Sequence, residues 1–323
     1  MNYFSPAVSK KDIRQYKNRR LMRIIKKYKS LYLFLLPAVV WFIVFCYVPI
    51  AGLILVIKDY SFVGGIWGSP ITDPWYKNFE LFFNNPELKT MVINTFLIAI
   101  MRLALFPAPI ILAIMLNEVK NPRFKKVIQT ITYFPFFISW VIVTSMLEQL
   151  LTPYGSGGPL YQVLQWISGN ENTIYYMVEK QYFYPIVLIT YLWKTIGWNS
   201  IVYLSAISNI DPTLYEAAHM DGANRMQTIF YITLPQLKTT IGLLFIMALG
   251  SILAAGFEQI YFLQTPGNYD YSNVLDVFVV KYGIEKGKYA LASIAGLFQG
   301  VIGVGFIAIG NTILKKTSDI SLW

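Results

Sequence analysis

Few residues in this chain could do chemistry, and they fall in few places. There is one histidine, His219, and one cysteine, Cys46. A single histidine argues against a Ser-His-Asp triad or a histidine-rich metal site within the chain, and no H-E-x-x-H occurs. A single cysteine excludes an internal disulfide. What remains is a set of polar groups inside apolar runs. Arg102, Lys194, Glu258 and Glu148 all lie there, with Lys194 beside Trp193, Trp198 and Asn199. A charge at bilayer depth costs at least about 2.5–3.5 kcal/mol on insertion scales, so such groups face a bundle interior or a watery cavity. Aromatic faces with hydrogen-bonding neighbours suit a sugar. Arg102, Trp193, Lys194, Trp198, Asn199 and Glu258 are therefore substrate-path candidates. The competing reading is glue, a cation on one helix pairing with an acid on another.

The elements that must position these residues are membrane spans. Of 323 residues, 55% are hydrophobic and only 14% charged, where a soluble domain carries roughly 25% charge. Mean hydropathy is +0.49. This excludes an ordinary soluble enzyme, a disordered chain and a disulfide scaffold. A span needs about 20 apolar residues. Six segments qualify, near 31–57, 91–117, 127–150, 185–208, 239–263 and 290–314. Pro37, Pro49, Pro107, Pro109 and Pro135 predict kinks, tolerated where neighbouring helices resatisfy the backbone.

The net charge of +10 does not imply nucleic acid, because the basic residues flank spans. Ten lie between Lys10 and Lys29, directly before the first apolar run. With the N-terminus inside, cytoplasmic segments hold eighteen Lys/Arg, and outer segments hold the seven residues Lys58, Lys77, Lys89, Lys180, Lys281, Lys286 and Lys288. The bias places both termini in the cytoplasm. Within Lys10–Tyr28, apolar residues recur at near-helical spacing. The stretch reads either as an amphipathic helix on the inner leaflet or as a basic tail that only enforces topology.

The loop between spans four and five is the informative one. Asp211 is a good helix N-cap and Pro212 a good first helical residue. A short helix over 212–220 follows, ended by Asp221-Gly222 with Gly222 in the left-handed conformation. A second helix is expected from Asn224 to Pro235, where proline turns the chain into span five.

Glu216-Ala217-Ala218, three residues, Gly222, nine residues, Ile232, one residue, then Leu234-Pro235 resembles the "EAA" loop of ABC importer permeases. The resemblance runs along nearly the whole chain. Ala108–Ala113, Leu116–Val119, Tyr133-Phe134-Pro135, Gly256–Ile260 and Leu322-Trp323 also look like the permeases that import lipo-oligosaccharides, rhamnogalacturonan and alginate, on the side related to the larger maltose permease subunit. The resemblance implies an all-α, polytopic membrane protein of the type I ABC importer permease fold. It would have six transmembrane helices, both termini in the cytoplasm of the plasma membrane, and a cytoplasmic coupling helix. Residues 1–30 form a basic N-terminal segment and 31–323 the permease domain, with the coupling loop at about 209–238. Implied partners are a second, homologous permease, two ATPase subunits, an extracytoplasmic binding protein, membrane lipid and an oligo- or polysaccharide. Glu216, Ala217, Ala218 and Gly222, with Leu214, Tyr215, Met220 and Asp221, would dock into an ATPase groove. The chain has no G-x-x-x-x-G-K-[ST] phosphate cradle. ATP and Mg would therefore be bound by the partner ATPases, and this chain would carry no cofactor or catalytic site.

Three other readings compete, one of them a receptor or assembly scaffold without transport. A membrane-embedded enzyme would need a catalytic constellation that the motifs do not supply. A secondary sugar transporter would need no EAA loop. Arg102 and Lys194 suit an acidic saccharide such as an alginate or pectin fragment, though neutral sugars also bind beside cations. The segments 58–90, 151–184 and 264–289 are the surfaces open to a binding protein, and their aromatics read equally as interfacial belt residues. Span six carries Ala292, Gly296 and Gly300 at four-residue spacing, which permits close helix contact. The orientation is tested by reporter fusions after Lys77 and after Lys120, which are expected on opposite sides of the membrane. Finding both on one side would overturn the topology.

Overall fold

The computed structural model describes residues 26–169 and 173–318, together with 19, 22 and 23. Most of the Lys10–Tyr28 stretch and the terminal Leu322-Trp323 lie outside the described residues. Those described are almost all helical, and the one β feature among them is an isolated bridge between Lys58 and Ile71.

The chain separates into two units, Met1–Leu55 with Ser61–Ser69, and Val56–Tyr60 with Pro70–Trp323. The first unit holds most of α1 (Lys29–Ile57), uncharged from Leu31 onward and exposed along nearly its whole length. Such an apolar rod needs lipid or another helix to cover it. Its loop closes on itself, with Ser69 Oγ donating to Gly65 O at 2.6 Å.

The second unit carries the remaining spans. α2 (Lys77–Phe83) leads to α3 (Leu88–Glu118), which is interrupted at Leu105–Phe106 ahead of Pro107. α4 (Pro122–Tyr133) and α5 (Trp140–Leu151) form a broken span, and α6 (Pro159–Ser168) follows. α7 (Lys180–Ser208), the short α8 (Pro212–Met220) and α9 (Arg225–Gly250) come next. α10 (Phe257–Leu263), α11 (Leu275–Val280) and α12 (Tyr289–Ser318) complete the unit. By length and composition α1, α3, α9 and α12 can each cross a membrane, and the α4–α5 pair makes five when counted as one span. α7 has 29 residues, long enough to span, with Lys194 and Asn199 lowering its hydropathy. It packs against α3, α4 and α9. Ile110, Ala113, Tyr203, Ile207 and Leu237 make one core between α3, α7 and α9.

Three expectations need correction. Span three is not continuous over 127–150, because α4 and α5 meet at 100°. Pro135 forces a 3₁₀ turn over Phe134–Phe137, Ile138 is extended, and Ser139 restarts the helix by accepting from Ile142 N. Span five does not reach 263. α9 ends at Gly250, the backbone leaves the helix through Ser251–Gly256, and α10 is separate, so Glu258 sits on the first turn of α10. Pro235 does not turn the chain either. A proline ring clashes with the carbonyl four residues back, here Tyr231, the centre of a π-turn over Ile229–Thr233. The wider π-turn makes room for the ring and α9 runs on. Pro49 repeats the device in α1, with Phe45 at the centre of the π-turn Ile43–Tyr47.

The α4–α5 break leaves carbonyls that hydrocarbon cannot satisfy. Lys194 Nζ donates to Pro135 O at 3.3 Å, to Phe136 O at 2.9 Å and to Ile138 O. Three ammonium protons meet three carbonyls. Charge-assisted bonds contribute about 1.5–3 kcal/mol each, which offsets the cost of a lysine at this depth. Gly197, one turn along α7, brings the helices together, since a Cβ there would lie 2.0 Å from Thr132 O. Lys194→Met strands the three carbonyls and is expected to cost at least about 3 kcal/mol. The readout is a lower unfolding temperature and reduced complex yield in detergent, with Lys194→Arg largely retaining both. Unchanged stability in Lys194→Met would show that the carbonyls find other partners.

Candidate functional site

Two features stand out: a cavity among α3, α7 and α9, and the loop that joins α7 to α9. The cavity has a volume of about 310 Å³ and is walled by Arg102, Tyr191, Thr195, Trp198, Asn199 and Ser251 among others. Of the substrate-path candidates, Arg102, Trp198 and Asn199 therefore converge on one space. The other three do not. Lys194 is turned onto the α4–α5 break. Trp193 lines a separate apolar recess with Val143, Met146 and Ile189, and Glu258 is exposed on α10.

The break fixes the cavity wall. Phe136, within the 3₁₀ turn, stacks on Trp198 at 4.4 Å with the rings 3° from parallel, and Phe137 meets the same indole edge-on at 5.6 Å. Such contacts contribute about 0.5–1.5 kcal/mol beyond area burial and hold one orientation.

Arg102 is held by the second break. Its guanidinium donates to Gln259 Oε1 and lies 4.5 Å from the Tyr191 ring. Gln259 Nε2 in turn donates to Val187 O and Thr190 Oγ1, both at 2.8 Å. Gly256 adopts φ +79°, and a Cβ there would come within 2.8 Å of the guanidinium. Asp276 accepts from Gly256 N at 3.0 Å and from Gln299 Nε2 at 2.8 Å, and Gln299 also donates to Leu253 O. Lys194 and Arg102 thus both join helices through hydrogen-bond partners other than glutamate, and Arg102 keeps a face on the cavity as well. Asp276 and Gln299 escaped the sequence reading. Their signal was a lone acid within the apolar run 274–280 and a glutamine within the apolar run 290–314.

The loop is built rigidly. Asp211 Oδ1 accepts from Thr213 N at 2.9 Å, and this bond holds the Asp211 carboxyl below the usual carboxylate range. At the other end of α8, Gly222 N donates to His219 O and Ala223 N to Ala218 O, the paired bonds of a Schellman cap, with Gly222 at φ +78°. Asn224 and Gln227 then form a reciprocal capping box at 2.8 and 2.9 Å. Tyr215 Oη bonds Thr233 Oγ1 at 3.1 Å and ties α8 to α9. On this scaffold Leu214, Glu216, Ala217, Met220 and Asp221 are exposed, while Ala218 and Gly222 line a small recess with Tyr231. Met226, Phe230 and Tyr231 extend the exposed apolar surface onto α9 and were not anticipated.

Comparison with known proteins places this architecture. Residues 106–315 match the family described as binding-protein-dependent transport system inner membrane component. The chain is 35% identical over 322 residues to the polygalacturonan/rhamnogalacturonan transport system permease protein YteP of Bacillus subtilis (strain 168), covering 99% of this chain and 98% of that one. It is 36% identical to protein LplB of the same organism, over 94% of this chain and 93% of that one. Among solved structures it is similar to a chain of a bacterial alginate ABC transporter in complex with an alginate pentasaccharide-bound periplasmic protein. The TM-score is 0.82 at 34% identity, over 94% of this chain and 100% of the other. With two broken spans, a capped loop helix and this likeness along its length, the chain belongs to the binding-protein-dependent inner membrane components, the permease subunits of ABC importers.

Proposed function

We infer that the chain is one of two related permeases of an ATP-driven importer of oligo- or polysaccharides, with acidic polymers the preferred class. The observation that carries this is the capped α8, which presents Glu216 and Ala217 outward on a loop with little freedom to move. The partner set follows from the family: a second permease, two ATPase subunits that bind ATP and Mg, and an extracytoplasmic binding protein. Both termini lie in the cytoplasm, on the Lys/Arg bias. The acidic substrate is supported by two points. YteP is named for polygalacturonan and rhamnogalacturonan, and a second similar structure is described as importing the acidic polysaccharide alginate. In this chain Arg102 sets a cation on the wall of the central cavity, beside the indole of Trp198 and the amide of Asn199.

In this reading α8 sits in a groove of the ATPase. Ala217 and Ala218 let the helix approach closely, and Glu216 meets a basic residue there. Closure of the ATPase dimer then moves the ends of α7 and α9, which line the cavity. Trp198 and Asn199 contact the sugar in transit.

Glu216→Lys and a bulky residue at Ala218 should each lower ATPase pull-down and sugar-stimulated ATP hydrolysis by about tenfold, the equivalent of about 1.4 kcal/mol of docking. Membrane folding and capture of the binding protein should be unaffected. Wild-type values for both variants in both assays would remove the loop as the point of transmission. Trp198→Ala and Asn199→Ala should slow uptake with the complex intact. Normal uptake by both would remove the cavity from the path.

A further inference from the structure

A second polar cleft lies beyond the central cavity, at the far end of α10. Its volume is about 540 Å³ and it is walled by Gln264, Thr265, Tyr269, Asp270 and Lys281. In the orientation proposed above it opens on the outer side, between spans five and six. Lys281 is its distinctive group. The side chain is half-buried, and its ammonium lies 5.9 Å from the Tyr261 ring and 5.7 Å from the Tyr269 ring while donating to Gln264 Oε1. Among the described residues no carboxylate pairs with it. The nearby acid Glu285 accepts from Tyr261 Oη at 2.9 Å, and Glu87 accepts from Tyr269 Oη at 3.2 Å and Asn273 Nδ2 at 3.0 Å. Those bonds hold both tyrosines beside the ammonium, with Tyr269 a wall of the cleft. An ammonium between aromatic faces that bonds an amide oxygen, and not the Asp270 carboxylate of the same cleft, keeps the capacity to take an anion from outside.

We propose that this cleft is an outer binding site for one uronate unit of the incoming saccharide. The carboxylate takes Lys281, a sugar face lies on Tyr269, and the hydroxyls bond Gln264, Thr265 and Asp270. The site stands at one end of α10, and the other end begins at Gly256 against Arg102. The seven residues of α10 put roughly 10 Å between its two ends at 1.5 Å per residue. The second cation fronts the central cavity, so an acidic chain released at the outer cleft meets a further positive group one short helix deeper. A neutral sugar offers Lys281 a hydroxyl but no ion pair.

The proposal rests on the acidic-substrate reading, and the experiment separates the two. The full transporter, with its ATPases and binding protein, is reconstituted in proteoliposomes. Uptake of trigalacturonate and trimannuronate is measured beside the neutral methyl ester of each. Wild type should take up a uronate about tenfold better than its ester. Lys281→Gln should raise the half-saturation for that uronate about fivefold with the maximal rate little changed, and Lys281→Arg should restore it. Equal uptake of acid and ester by wild type, or uptake of neither, overturns the substrate class and the outer site with it. If wild type discriminates but Lys281→Gln matches it, the outer site alone falls. If Lys281→Gln instead loses capture of the binding protein, the cleft belongs to the docking surface and the proposal is wrong.

Discussion

Inside a bilayer a backbone that leaves its helix has no water to bond, and this constraint organises the membrane-embedded part of the second unit. Two spans break at depth, and each break recruits a buried polar side chain. At the α4–α5 bend the donor is the Lys194 ammonium. At the Ser251–Gly256 break, Asp276 takes the Gly256 amide and Gln299 supplies Leu253 O. Each unsatisfied group would otherwise cost several kcal/mol in hydrocarbon. The insertion cost of a charged residue, about 2.5–3.5 kcal/mol, is therefore the smaller quantity, and charged groups at these depths are structurally favourable.

The breaks also place the cavity. Had α4 and α5 formed one straight rod, Phe136 would not lie flat on Trp198, and the indole would lose the contact that orients it. Had α9 continued past Gly250, the Ser251 corner of the wall would be missing and Gly256 would not meet Arg102. The polar groups that resatisfy the backbone and those that face the cavity are thus neighbours on the same short stretches. Arg102 faces the cavity and also bonds Gln259, whose amide resatisfies Val187 O, which explains why glue and pathway readings of that residue could not be separated by position in sequence.

Much of this was legible in the residues. The apolar runs marked the spans, and the loop from Asp211 to Gly222 folds as its caps dictate, because N-caps, N1 prolines and C′ glycines act within one turn. The misreadings were non-local. Whether Pro135 kinks or breaks a helix depends on a lysine 59 residues away donating to the freed carbonyls. Whether Pro235 ends a helix depends on a π-turn that no composition rule announces. Trp193, Lys194, Trp198 and Asn199 looked like one cluster, yet they lie on different faces of α7. Residues 194 and 198 share a side, with 194 reaching the break and 198 the cavity, while 193 points to lipid-side apolar neighbours.

The geometry between loop and cavity carries its own argument about coupling. α9 is one helix of 26 residues, about 39 Å at 1.5 Å per residue. Its first turn is fixed by its own capping box, and the Tyr215–Thr233 bond ties the third turn to α8. Its last turns, at Leu244 and Ala248, are cavity wall. α7 likewise runs without interruption from the cavity, at Tyr191 and Trp198, to the loop at Ser208. Both walls are therefore continuous with the loop through unbroken helices, whereas the breaks lie in α3, in the α4–α5 span and beyond α9. A helix transmits an axial push far better than a break does, because its hydrogen bonds resist compression along their own direction. The stiff elements connect loop to cavity, and the flexible corners lie at the cavity itself, where a change of shape is needed.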